Sequence, residues 1–119
     1  MLASVLRLSV KMTAHEGQLE KFKAIARQMT EASGAEPGTL GYEWFTDGGS
    51  RFRLEEVYTG ADAVLAHFMG TAVRTLVPQL AALCTIDGFE IYGDPGPLVT
   101  QIAAGFGAEI FPYWIGLSR

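Results

Sequence analysis

Apolar and polar side chains alternate along four short stretches of the chain. The first stretch covers residues 6 to 12, and the others cover residues 40 to 45, 51 to 58 and 88 to 92. A period of two is typical of a β-strand that buries one face. Residues 47 to 50 read Asp-Gly-Gly-Ser, a composition that suits a tight turn. The second and third strands are therefore predicted to form an antiparallel hairpin.

Apolar residues follow the spacing of a helix in a segment after the first strand. Between Leu19 and Met29 they recur every three or four positions. Thr13 precedes Glu16 by three residues, which is the spacing of a capping box. A first helix is therefore predicted to begin after this box and to run to about Ser33.

A second helical segment is predicted in pieces. One piece covers residues 61 to 68, and the pattern resumes over residues 73 to 83 after Gly70 and Thr71. Pro78 requires a break, or the first turn of a new piece, close by. The order is βαββαβ, which with right-handed crossovers gives a four-stranded antiparallel sheet with both helices on one face. We therefore predict a single α+β, ferredoxin-like domain over residues 1 to 93.

The two faces of this predicted sheet differ in polarity. Burial preference places the apolar set, including Leu40, Tyr42 and Trp44 of the second strand, under the helices. The other face carries both charge signs and a few apolar side chains, which suits contact with a symmetry mate. A chain with 49% hydrophobic residues also has more apolar surface than a monomer of this size readily hides, so a homodimer is predicted. The predicted contact face consists of Arg7, Lys11, Glu43, Phe45, Arg53, Glu55, Val57 and Tyr92.

Residues 94 to 119 form a C-terminal extension that begins within a stiff Gly-Asp-Pro-Gly-Pro segment, residues 93 to 97. A short helix is predicted over residues 98 to 104 and a short strand over residues 109 to 114. The extension is strongly aromatic, and its rings cannot all lie in water without cost. We predict that residues 98 to 119 clasp the neighbouring subunit; the alternative is that they pack on their own domain. The rings are Phe106, Phe111, Tyr113 and Trp114.

Composition excludes several classes of partner. The net charge of −4 gives no basic surface for a phosphate backbone, so no nucleic acid is expected. No run of about eighteen apolar residues is present, so no membrane span is expected. Cys84 is the only cysteine, which rules out an intrachain disulfide and fits a reducing cytoplasm.

Candidate chemistry centres on Glu56. Its position on the apolar face of the third strand costs several kcal/mol unless hydrogen-bond donors meet it. The available donors are His67, Tyr42, Tyr58 and Trp44. In the functional interpretation Glu56 holds His67 in one tautomer, and His67 moves a proton on a phenolic substrate. In the structural interpretation the two residues form a satisfied hydrogen-bonded pair.

The usual cofactor and metal motifs are missing from the sequence. The chain has no Walker loop, no dinucleotide fingerprint and no Gly-x-Ser-x-Gly elbow. Its two histidines, His15 and His67, are not at metal-ligand spacing. No cofactor and no metal are therefore predicted.

Four short motifs together resemble the antibiotic-biosynthesis-monooxygenase superfamily of dimeric α+β barrels, in order and spacing over about residues 5 to 92. The resemblance implies two ferredoxin-like protomers joined sheet to sheet, each with a pocket between its sheet and its helices. It also implies a homodimer, and the known members include cofactor-independent monooxygenases of quinols and polyketides. In these enzymes the deprotonated substrate itself activates dioxygen. The motifs are Glu36-Pro37-Gly38, Gly41-Tyr42-Glu43, Phe52-x-Leu54-x-Glu56-x-Tyr58 and Ala66-His67-Phe68.

The resemblance assigns roles to individual residues. Glu56 and His67 match the family's polar positions and are the candidate catalytic pair. Tyr58 occupies a place where Trp is common, and the first strand has no Asn, so haem breakdown is disfavoured. Alternatives are a non-catalytic dimeric module that binds a small apolar molecule, or an isomerase or lyase on the same scaffold. The candidate pocket wall is Tyr42, Trp44, Tyr58 and Phe68.

Overall fold

The computed structural model describes residues 4 to 119. No helix in this range is long and apolar enough to cross a membrane. Besides the helices, a π-helical turn spans Ala72–Leu76. The elements in chain order are β1 (Leu6–Ala14), α1 (Leu19–Gly34), β2 (Thr39–Thr46), β3 (Arg51–Tyr58), α2 (Ala61–Phe68), the π-helical turn, α3 (Val77–Ala81), β4 (Cys84–Tyr92), α4 (Gly96–Ala104) and β5 (Glu109–Phe111).

The strands form one sheet in the order β2-β3-β1-β4-β5. The first four strands are antiparallel neighbours, and β5 adds to β4 in parallel. This is the topology expected from right-handed βαβ crossovers, so the predicted ferredoxin-like α+β fold is confirmed. Val10 lies opposite Leu54 on one side and Phe89 on the other, which aligns the apolar faces of three strands.

Two apolar clusters fill the space between the sheet and the helices. The first surrounds Phe22 of α1, whose ring lies 4.6 Å from that of Phe52 and 6.0 Å from that of Trp44, between ring centroids. The second joins the start of β1 and the end of β3 to α2 and α4. On β3, Leu54 belongs to the first cluster and Tyr58 to the second. Glu56 lies between them on the same face, so it stands where the two clusters meet.

The opposite face of the sheet is uncovered in the single chain. The mixed residues assigned to this face are exposed or half-buried, including Phe45 at 54% and Tyr92 at 38%. The alternation of buried and exposed positions along β1 and β3 therefore follows the prediction.

The start of α1 differs from the prediction. Strand β1 continues through Ala14, and Thr13 donates its hydroxyl hydrogen to Asp87 at 2.6 Å rather than capping a helix. Gly17, with φ +79°, turns the chain, and Gln18 is the N-cap residue of α1. The capping box was wrong because the sheet pairing of Thr13 with β3 and β4 outweighs a local hydrogen bond.

Irregular pairing explains two further differences. The register between β2 and β3 shifts between Thr39 and Gly41, and Leu40 is 60% exposed instead of lying under the helices. A bulge changes which face a side chain occupies without changing the sequence pattern. Strand β4 begins at Cys84, four residues before the predicted start at Gly88, and a register shift separates its two halves. Cys84 itself is buried.

The C-terminal extension packs partly on its own domain. Helix α4 buries Val99 and Ala103 in the second cluster, and β5 extends the sheet. Strand β5 is shorter than predicted because Pro112 cannot continue the pairing. Residues 98 to 111 thus make contacts within their own domain. Residues 112 to 119 are exposed, Trp114 at 90%, and for them the clasp stays a prediction.

Candidate active site

Glu56 is a buried carboxyl group on the helix-covered face of β3. It is 5% exposed, and Tyr58, two residues along the same strand face, donates its hydroxyl hydrogen to Glu56 Oε1 at 2.5 Å. Burial raises the pKa of Glu56 to about 8, with the charges of Glu36 and Glu55 adding to the rise, although the hydrogen bond from Tyr58 lowers it. At pH 7 Glu56 is therefore mainly a protonated acid.

His67 enters the same place from α2 and is 2% exposed. Its Nδ1 lies 2.8 Å from Glu36 Oε1, and its Nε2 lies 3.4 Å from Glu56 Oε1. Burial lowers the pKa of His67, although the hydrogen bond and charge of Glu36 oppose this. The imidazole is therefore neutral at pH 7. With its hydrogen on Nδ1, donated to Glu36, it carries its lone pair on Nε2, on the side of Glu56.

Glu36 is the site residue that sequence reasoning missed. It lies in the turn between α1 and β2, where the Thr39 hydroxyl donates to its Oε1 at 3.0 Å. A Cβ at Gly70 would lie 3.0 Å from Glu36 Oε2, so a glycine there leaves room for the carboxylate. The Glu36-Pro37-Gly38 motif indicated a turn and contributed to the family resemblance, but it gave Glu36 no role in the site. Its contact with His67 spans 31 positions along the chain, which no local spacing reveals.

Glu36 rather than Glu56 makes the shorter contact with the imidazole. The residue first assigned to orient His67 instead faces the opposite nitrogen, at a distance longer than an ordinary hydrogen bond. One arrangement of hydrogens satisfies the two short contacts: Tyr58 donates to Glu56 Oε1, the oxygen that also faces Nε2, and Nδ1–H donates to Glu36.

Two tyrosine rings flank the imidazole. The centroid of the Tyr58 ring lies 5.3 Å from that of His67, and the centroid of the Tyr42 ring lies 5.5 Å away. Burial, with the charge of Glu56, raises the pKa of both phenols well above the usual range. Both therefore stay protonated at any physiological pH and can only donate or accept as neutral hydroxyls.

An apolar cavity opens from this polar cluster. It lies between the sheet and the helices, opens to solvent, and has a volume of about 70 Å³ in which the centre of a water-sized sphere fits. Its polar members, Glu56, His67 and Tyr42, contrast with a wall that is otherwise aliphatic or aromatic. The rest of the wall consists of Leu8, Val10, Met12, Met29, Leu54, Phe68, Val73, Val77, Leu80, Ala81, Ile86, Phe89 and Phe106.

The structure brings most, but not all, of the predicted site residues together. Glu56, His67, Tyr42 and Phe68 line the cavity, and Tyr58 lies behind Glu56, fully buried. Trp44 does not line it. Its indole N–H donates to the Thr30 hydroxyl at 2.9 Å, and it lines a separate groove along α1.

The cluster suits proton transfer better than metal binding. Glu36 and Glu56 contact opposite nitrogens of the same imidazole, so one ion cannot bind all three groups. Within residues 4 to 119 no group of three or more His, Cys, Asp or Glu side chains could hold a metal ion. The site offers His67 as a neutral base, Glu36 as the carboxylate that stabilises the protonated form of this base, and Glu56 as a protonated acid.

Comparison with known proteins agrees with this architecture. The sequence profile described as antibiotic biosynthesis monooxygenase matches residues 6 to 79, which include Glu36, Glu56 and His67. The chain belongs to the antibiotic biosynthesis monooxygenase family. A comparison with curated proteins finds no match.

Several solved structures share the fold. MupZ from Pseudomonas fluorescens is 25% identical, with a TM-score of 0.82 over 97% of this chain and 94% of that one. SnoaB from Streptomyces nogalater, described as a cofactor-independent oxygenase, is 17% identical, with a TM-score of 0.67 over 81% and 98%. Rv0793 from Mycobacterium tuberculosis is 16% identical, with a TM-score of 0.69 over 79% and 98%. The likeness to MupZ extends through the C-terminal extension, whereas the other two similarities cover a shorter part of this chain.

Proposed function

We propose that this family member is a cofactor-independent monooxygenase of a small aromatic, quinol-type or polyketide-like substrate. The observation that carries the proposal is the neutral His67, backed by Glu36, at the polar end of an apolar cavity. The cavity matches a weakly polar substrate, and the imidazole matches a substrate that must lose a proton. The similarity to SnoaB supports an oxygenase on this scaffold.

In the proposed reaction Nε2 of His67 takes a proton from the substrate, and Glu36 stabilises the resulting imidazolium. The Nε2 lone pair is available because Glu56 lies at 3.4 Å rather than at hydrogen-bond distance. The substrate anion supplies all the electrons that reduce dioxygen. A ring CH₂ group and one O₂ become a C=O group and one water, so one oxygen atom enters the product. Protonated Glu56 stands beside the base and can supply the proton for the O–O bond cleavage.

A second candidate is an isomerase or lyase that uses no oxygen. The protonated state of Glu56 favours it, because an acid and a base 3.4 Å apart can remove a proton from one substrate atom and deliver one to another. A third outcome, binding without turnover, would identify a non-catalytic module.

We also propose that the protein works as a homodimer in the cytoplasm, without membrane or nucleic-acid partners. Exposed Phe45 and Tyr92 on the uncovered sheet face support association through that face. Sedimentation at micromolar concentration should give twice the chain mass of 12.9 kDa. A mass of one chain would contradict the dimer.

The test of the monooxygenase proposal is oxygen uptake with a panel of quinols and anthrones. The parent should consume oxygen, and His67→Gln should lose turnover while remaining folded. His15→Gln is the matched control, because His15 is exposed and lies outside the cavity. Substrate loss without oxygen uptake would favour the isomerase or lyase. Equal turnover by parent and His67→Gln would place the chemistry elsewhere.

A further inference from the structure

The C-terminal extension contributes one side chain to the wall of the cavity. Phe106 follows α4 and lines the same space as His67 and Phe68. Its ring centroid lies 6.2 Å from that of Phe68, and the side chain is 40% exposed. An aromatic residue that lines a cavity and also reaches solvent lies at the opening of that cavity.

Local backbone structure fixes the position of Phe106. Helix α4 ends in a Schellman motif: Ala108 N–H donates to the Ala103 carbonyl at 3.1 Å, and Gly107 N–H donates to the Ala104 carbonyl at 3.1 Å. Gly107 has φ +75°, a conformation that favours glycine. On the helix side Ala103 is fully buried against α2, and beyond the motif the chain enters β5.

The motif therefore holds Phe106 between two anchored elements. Its side chain makes a ring contact with Phe68, which neighbours His67 on α2 with ring centroids 6.3 Å apart. The three rings form a continuous row from the opening of the cavity to the base. A flat apolar molecule that enters on this side and reaches Nε2 would pass Phe106 and keep contact with it once bound.

We infer that Phe106 is a specificity-determining residue: with Phe68 it forms an aromatic clamp at the cavity mouth that selects flat, weakly polar ring systems. This inference rests on the proposed function for the position of the reacting atoms, and it adds the C-terminal extension to the substrate site. Domains of this fold that lack such an extension would have a wider mouth at this place.

The first test needs no substrate. Diethyl pyrocarbonate modifies unprotonated imidazoles, and mass spectrometry of the parent reports the modification rates of buried His67 and exposed His15 in one sample. Phe106→Ala should raise the rate of His67 relative to His15 severalfold, and Phe106→Leu should give a smaller rise. Leu98→Ala is the control, because Leu98 is an exposed apolar residue of the same extension outside the cavity. An unchanged ratio in Phe106→Ala would overturn the clamp at the mouth.

The second test measures binding of anthrone by calorimetry without oxygen, so that no turnover interferes. Loss of one ring contact in Phe106→Ala should weaken binding about three- to tenfold, with Phe106→Leu in between and Leu98→Ala unchanged. Gly107→Ala strains the turn without altering the Phe106 side chain and should reproduce part of the loss. Equal binding by parent and Phe106→Ala overturns the inference alone. No binding by the parent overturns the aromatic ligand class of the proposed function as well.

Discussion

Replacing Glu56 by Gln should remove a loss of stability that the parent protein shows as the pH rises. Gln is close in shape to the protonated carboxyl group and keeps a carbonyl oxygen that can accept from Tyr58 in place of Oε1, the atom that also faces His67 Nε2. Burial raises the pKa of Glu56 from 4.5 to about 8, so the folded state holds a proton that the unfolded state releases. Raising the pH through this window favours the unfolded parent, whereas the variant has no proton to lose.

The magnitude follows from the width of that window. One pKa unit corresponds to about 1.4 kcal/mol, so between pH 5 and pH 8 the free energy of unfolding of the parent should fall by about 3 to 4 kcal/mol relative to Glu56→Gln. Urea denaturation at pH 5, 6, 7 and 8 at one protein concentration measures this difference. Glu31→Gln, an exposed substitution on α1, should keep the slope of the parent. Parallel curves for parent and Glu56→Gln would show that Glu56 ionises normally and would refute the reasoning.

Four further predictions follow from the same geometry. Glu36→Gln should lower kcat about 100-fold because the imidazolium loses its carboxylate partner, and rates as low as those of His67→Gln would mean that Glu36 is as essential as the base. Because burial lowers the pKa of His67 below 6.5, the midpoint of the acidic limb of the pH–rate profile should lie below pH 6.5. A midpoint above that value would contradict the buried environment of His67. Tyr58→Phe removes a hydrogen bond that lowers the pKa of Glu56, so the carboxyl midpoint followed by ¹³C NMR should rise, and a fall would refute that contribution. Deleting residues 112 to 119 should weaken self-association measured by sedimentation, and an unchanged dimer constant would refute the clasp.

The periodicity of apolar residues predicted the fold well because burial of one face of a strand imposes that periodicity directly. Alternation along β1 and β3 sets which residues enter the core, and the hairpin turn follows from its glycines. Leu40 and Thr13 were misplaced because a register shift and sheet pairing are decided by partner strands, which leave no mark on local spacing. Sequence reasoning is therefore strongest in the regular middle of the strands and weakest at their ends.

The candidate site was predictable only in part. A carboxyl group in an apolar pattern singled out Glu56, and the need for a donor led to His67 on the next helix. Glu36 approaches from the α1–β2 turn on the far side of His67, through a contact that depends on where this turn meets α2. Trp44 shares a strand face with Tyr42, yet its indole turns toward Thr30 and away from the cavity. Alternation fixes a face of the sheet, but not which side chains on that face share a cavity.

Phe106 shows the same limit for the C-terminal extension. The aromatic composition of the extension indicated burial, and we predicted that a partner subunit would provide it, whereas the ring of Phe106 contacts Phe68 of its own domain. The Schellman motif at Gly107 is readable as a helix stop, but the cavity that Phe106 reaches is formed by residues from eight other elements, the π-helical turn included. Assigning Phe106 to the substrate site required the packed structure.

The most direct test of the central claim is the fate of the oxygen atoms. Purified protein, without added flavin, metal or reductant, is incubated with anthrone under ¹⁸O₂, and the product is analysed by mass spectrometry. The account predicts one labelled oxygen atom in each product molecule, with the label absent when His67→Gln replaces the parent. Product formed by the parent without label would contradict monooxygenation and would assign the Glu36, His67 and Glu56 cluster to an acid–base reaction that needs no oxygen.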